Sequence, residues 1–187
     1  TLMSEKSTMS NAVYEAVCPQ LLGANTAVTP TDCIKTEPYL PAGWCQPGPA
    51  DMTGLWLEYQ DKVPEPYHIT GWFDENSTKD HAWILYRQDR SAWAVFVFLM
   101  QGQAYTPIKL QETTLEHGIS FQEIHLLTAK PGEVETACGK GYWDCEPGEP
   151  AMINLKTHGI ILAPYDRGGA VLAYYQNGSF AQVIIDD

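Results

Sequence analysis

Charge is scarce in this chain, and basic charge scarcest: Asp, Glu, Lys and Arg make up 18% of 187 residues, with 11 Lys and Arg against 23 Asp and Glu. A formal charge of −12 repels phosphate backbones and anionic membrane surfaces, which argues against a nucleic-acid partner and favours a basic one. Long apolar runs are missing as well. The longest, Ala92–Met100, falls far short of the roughly 18 residues of a membrane-spanning helix, so no span is expected. Residues Thr1–Met9 carry neither a basic leader nor an apolar stretch, so any signal peptide is expected to have been removed.

Catalytic motifs are equally sparse. The chain has no Gly-x-Ser-x-Gly elbow, and Gly139 and Gly141 are not followed by the Lys-Ser/Thr and helix of a phosphate-cradling loop. His68, His81, His117, His125 and His158 show no His-x-x-x-His or Cys-x-x-Cys spacing; each reads as a surface or turn residue, and no metal and no cofactor are expected. Glu58, Asp74, Glu112 and Glu123 are candidates for the paired carboxylates of a glycan hydrolase, but a pair drawn from different strands has no spacing signature. Such a pair would appear as two buried acids facing across a pocket, one of them titrating high. With 23 acids in the chain, a solvated face is the default, and no catalytic residue is assigned.

What the chain does have is cysteine, aromatics and turn chemistry. Cys138-Gly-Lys-Gly-Tyr-Trp-Asp-Cys145 places two cysteines across a stretch with two glycines, a spacing that closes a disulfide without strain. Cys33 and Cys45 lie in a segment with five prolines between Ala24 and Pro49 and are expected to form a second bridge anchoring irregular chain to the body. That leaves Cys18, the odd cysteine, on the apolar stripe of a helix. The pattern is that of a protein matured in an oxidising compartment, periplasmic or secreted.

Val13, Val17, Leu21 and Leu22 recur at helical spacing between a Ser10 N-cap and a Gly23 stop, predicting an N-terminal helix over residues 8–22. Strands are predicted over 54–59, 67–73, 81–86, 92–100, 105–111, 120–127, 160–163, 169–175 and 180–185 from short aromatic and β-branched runs. Asn177-Gly178 is the strongest hairpin signal. Trp83, Trp93, Tyr86 and Phe96 alternate as a buried strand face should. The expected fold is α+β: an N-terminal helix followed by a mostly antiparallel, disulfide-stabilised β-meander, with residues 1–50 packed as an extension on a β-rich domain of 51–187.

The second half resembles a group of exported bacterial proteins of unknown function, immunity- or inhibitor-like in character. The resemblance is carried by Trp93-Ala-Val-Phe-Val-Phe-Leu99, Ile108-Lys-Leu110, Ala137–Cys145, Ala173-Tyr-Tyr-Gln-Asn-Gly-Ser-Phe180 and Ile184-Ile-Asp186. It implies a periplasmic address and a small β-rich body, and no activity.

Surface character therefore points to a non-catalytic binding protein, of the immunity or inhibitor type, that neutralises a secreted effector or a cell-wall hydrolase. Tyr142 and Trp143, at the tip of the clipped loop, are the expected contacts for a protein partner, a basic one by charge. The alternatives are a cell-wall or glycan hydrolase working through paired carboxylates and a structural component of the envelope. The sequence does not specify an oligomeric state.

Overall fold

The computed structural model describes Cys33, residues 35–114 and residues 119–186. The helix expected over 8–22, Cys18 and His117 lie outside them. The compact unit runs from Asp32 to Asp187 and is mostly antiparallel β-sheet with two disulfides. The described part of the Pro- and Cys-rich segment belongs to it: β1 (Trp44–Cys45) pairs with Tyr86 and Arg87.

The first sheet is built on the apolar hairpin of β3 (Asp80–Arg87) and β4 (Ala92–Gln101). β5 (Ala104–Thr114) pairs with β4 and forms one margin, consistent with Pro107, which cannot donate to a ladder. β1 and β2 (His68–Gly71) share the other side of β3. The second sheet has the order β11-β10-β9-β6, with β6 (Ile124–Ala129), β9 (Gly159–Pro164), β10 (Val171–Gln176) and β11 (Ser179–Ile184). β10 and β11 meet through Asn177 and Gly178, whose φ values of 54° and 84° give the two-residue turn read from the sequence. Between β6 and β9 the chain leaves the second sheet to form a separate hairpin, β7 (Gly132–Glu135) with β8 (Met152–Leu155), so the strands do not make one continuous meander.

The two sheets share a core of Ile84, Trp93, Val95, Val97 and Leu99 from one and Leu126, Ile160, Leu162 and Ala173 from the other. Burying each of the Val, Leu and Ile side chains among them fully stabilises the fold by roughly 1.5–3 kcal/mol. Trp83 and Phe96 face the opposite way from Tyr86 and Trp93 and pack with Trp44, Leu85 and Phe98 in a second cluster. These aromatics thus line both faces of the sheet, because β3 and β4 are covered on both sides.

The aromatic run at 54–59 is not a strand. It forms α1 (Leu55–Glu58), entered through Gly54 at φ 57°. The turn lets Trp56 bury completely against Phe121 and Tyr67 while its indole N–H donates to the Ile124 carbonyl at 2.7 Å. One tertiary burial outweighs the weak strand preference of four residues. Among the described residues, no helix is long and apolar enough to cross a membrane.

Candidate binding site

The outer face of each sheet is covered by a disulfide-closed piece of chain, and the two covers differ. Over the second sheet lies the β7–β8 hairpin, whose Val134, Ile153 and Leu155 pack with Ala129, Leu172 and Ile185. The connection between its strands is the Cys138–Cys145 loop, bridged with Cα atoms 5.0 Å apart. Its base is fixed by the fully buried Thr136, whose hydroxyl donates to the Pro150 carbonyl at 2.8 Å and accepts the Gly139 N–H at 3.2 Å. Gly139 has to be glycine, since a Cβ there would stand 2.0 Å from the Ala151 carbonyl oxygen. The loop is also tied to the C-terminal chain: Ala137 N–H donates to Ile184 O, Lys140 Nζ to Ile185 O at 2.6 Å, and the Tyr142 hydroxyl to Asp186 Oδ1 at 2.9 Å.

The two expected contact residues sit on this loop. Tyr142 is 49% exposed, with its hydroxyl end oriented by Asp186. Trp143 is half-buried, its indole N–H directed at the Glu149 carboxylate at 3.4 Å. On β8 Met152 is 48% exposed, and the strand borders a groove of about 400 Å³ that is also lined by Tyr174, Gln176 and Asn177 and by the Glu75–Lys156 pair. Across residues 132–155 Glu133, Glu135, Asp144, Glu146 and Glu149 stand against one cation, Lys140, and that cation is already spent on Ile185 and Asp186. The hairpin is an acidic platform, tied at the base of its loop, that exposes Tyr142 and Met152.

Over the first sheet lies the segment closed by Cys33–Cys45, with Cα atoms 5.1 Å apart. Its Tyr39 packs on His81, Phe98 and Tyr105. Beneath it is a chain of polar groups that sequence spacing did not disclose. Glu65 Oε2 lies 3.5 Å from His68 Nδ1, His68 Nε2 lies 3.0 Å from His81 Nδ1, and His81 Nε2 lies 3.1 Å from the Tyr105 hydroxyl. A carboxylate only accepts, so the bonds run from Tyr105 through His81 and His68 toward Glu65. Burial holds both imidazoles below their ordinary value; at His68 the neighbouring His81 adds to this and Glu65 opposes it, and at His81 Glu37 opposes it. Burial also pushes the Tyr39 hydroxyl up to about 12. His68 lies flat on Trp83 at 3.8 Å between centroids. The signal was cross-strand rather than linear: His68 pairs with Trp83 and Thr70 with His81, which makes the two histidines diagonal neighbours on one face.

The carboxylates considered for hydrolysis are not brought together. Glu112 binds Lys109 and Arg87, which hold its carboxyl below the usual range. Glu123 accepts the Ser120 N–H at the start of a 3-10 turn and pairs with Arg167. Glu58 ends α1 on the exposed surface. Asp74 and Asp80 are both buried, and burial raises Asp80. Their oxygens close the 73–80 loop: Asp74 accepts from Asn76, and Asp80 accepts the Phe73 and Met100 N–H groups, each at 2.9 Å. Among the described residues, no group of three or more His, Cys, Asp or Glu is placed to hold a metal ion.

No protein-family model, curated protein or solved structure matches this chain.

Proposed function

We propose that the protein is an exported binding protein of the immunity or inhibitor type, which engages a basic secreted protein, an effector or a cell-wall hydrolase, through the clipped β7–β8 hairpin. The carrying observation is the combination in that hairpin of five carboxylates around one committed cation with exposed Tyr142 and Met152, on a loop fixed at both ends. Carboxylates at a rim steer a cationic partner and set specificity, and exposed apolar anchors on a rigid frame bind at low ordering cost. Two disulfides suit an oxidising compartment, where such a partner would be met. The hydrolase reading has less support, since Glu112, Glu123 and Asp74 are each held by local partners and Glu58 lies on the exposed surface.

The test is binding and inhibition against a panel of purified basic secreted hydrolases, with acidic hydrolases as controls. A basic member should bind with salt-dependent affinity, and the triple variant Glu133→Lys, Asp144→Lys, Glu146→Lys should lose that binding while keeping its melting temperature. Equal binding by the triple variant, or by the acidic controls, would end this reading.

A further inference from the structure

The backbone of β8 bears on how a partner would be held. Thr136 N–H donates to the Ala151 carbonyl at 3.1 Å, and the register continues from that pair in steps of two through Val134 with Ile153 and Gly132 with Leu155. In an antiparallel ladder the hydrogen-bonded pairs alternate, so Ile153 and Leu155 spend their N–H and C=O groups on β7. Met152 and Asn154, between them, turn theirs the other way. β8 has no second strand beside it among the described residues, and the groove that it borders is lined by Met152, Ile153 and Asn154 together, although the Ile153 side chain is buried in the opposite direction. Backbone therefore forms part of that wall.

We infer that this edge takes up an extended segment of the basic partner as an added strand, paired with Met152 and Asn154. The inference rests on the proposed function and specifies its mode. A strand laid there at the usual spacing of about 4.8 Å would satisfy the outward backbone groups and direct alternate side chains to the Tyr174 and Gln176 side of the groove. The volume of about 400 Å³ lies inside the roughly 300–1,000 Å³ typical of ligand clefts. Charge selects the occupant. Within the groove Glu75 is offset by Lys156, but Glu133 and Glu135 stand on β7 directly opposite Asn154 and Met152, and Glu146 and Glu149 on the same hairpin, so lysine and arginine on the incoming segment are favoured and acidic segments repelled. Natural sheets guard open edges with lysine or proline; Met152 and Asn154 do neither, while Lys156 follows beyond the strand.

The experiment uses the full chain and two labelled peptides of equal charge, an alternating Lys-Val octamer and a Lys-Pro octamer. Proline at every other position of the second fixes φ at about −65° and favours a polyproline II conformation that does not match a strand ladder. Fluorescence anisotropy at physiological salt should show at least tenfold tighter binding of Lys-Val, lost in Asn154→Pro, which removes one outward N–H and spares the pairing with β7. Amide exchange on the unmodified protein keeps the test independent of how that variant folds: saturating Lys-Val should slow exchange at Met152 and Asn154 at least tenfold and leave Ile153 nearly unchanged. Equal binding of both peptides without that protection would overturn strand addition and leave electrostatic docking to the hairpin intact. Absence of binding by either peptide would also overturn it, and the hydrolase panel would then judge the proposed function separately.

Discussion

The two outer faces of this sandwich are each covered by chain that a disulfide closes, yet one cover seals and the other displays. On the first sheet, Tyr39 and Trp44 lie on Trp83, Phe96 and Phe98, and Tyr105, His81 and His68 form a hydrogen-bonded chain beneath them. On the second, the hairpin buries Val134, Ile153 and Leu155 downward and presents carboxylates, Tyr142 and Met152 to solvent, and the lateral edge of β8 has no further strand beside it among the described residues. A disulfide alone therefore does not mark a binding surface. What distinguishes the two is exposure: the aromatics under the first cover are buried, while the second leaves Tyr142 and Met152 in solvent.

The contrast can be broken most strongly by cavity. Phe98 is fully buried on the sealed face, and Phe98→Ala should cost about 3–5 kcal/mol in denaturant unfolding. A cost under about 1 kcal/mol would show that the sealed face is loosely packed.

Removing each disulfide is the next largest effect. From loop length, chain entropy assigns roughly 3 kcal/mol to Cys33–Cys45 and roughly 2.5 kcal/mol to Cys138–Cys145, the sequence separations being 12 and 7. Paired Cys→Ala variants should differ more in kind than in size. Loss of Cys33–Cys45 should loosen Tyr39 over the histidines, whereas loss of Cys138–Cys145 should weaken partner binding. Unchanged melting in either oxidised variant would contradict the corresponding bridge.

Acid should act on the sealed face first. His68 and His81 on that face, and His125 on β6 of the second sheet, are all held below their ordinary value, chiefly through burial. The folded protein therefore binds fewer protons than the unfolded chain between those lowered values and the unfolded value of about 6.5. Their stabilisation is complete above that value and is lost as pH falls through the window. Asp80, raised by burial, works in the opposite sense at more acidic pH. His68→Gln combined with His81→Gln should flatten the slope of unfolding free energy against pH just below 6.5; an unaltered slope would remove the histidine pair as its source.

The smallest effect belongs to the displayed face. Met152→Ala should change stability by less than about 0.5 kcal/mol, while reducing partner affinity. A larger loss of stability would make Met152 a core residue rather than an anchor.

The apolar hairpin of β3 and β4 and the Asn177-Gly178 turn could be read directly, because long β-branched and aromatic runs and a positive-φ turn are local properties. The disulfide pairs were also local, by spacing. Trp56 was misread as part of a strand because its burial depends on Phe121 and Ile124, far away in sequence. β7 and β8 escaped notice as four-residue segments on either side of the clip, so the loop was recognised without the hairpin that carries it. Tyr142 and Trp143 could be singled out from the clip, whereas the groove depends on how β8 lies beside the end of β10. The histidine chain was invisible for the same reason: its members come from β2, β3 and β5, and only the register makes them neighbours.

The most direct trial of the displayed face is backbone amide shift mapping of the full, oxidised protein titrated with the Lys-Val octamer. The account predicts that shifts concentrate at Met152, Asn154, Gln176 and the 138–145 loop, and that His68, His81 and Tyr105 remain still. Shifts centred on the histidine face, with β8 unmoved, would contradict it.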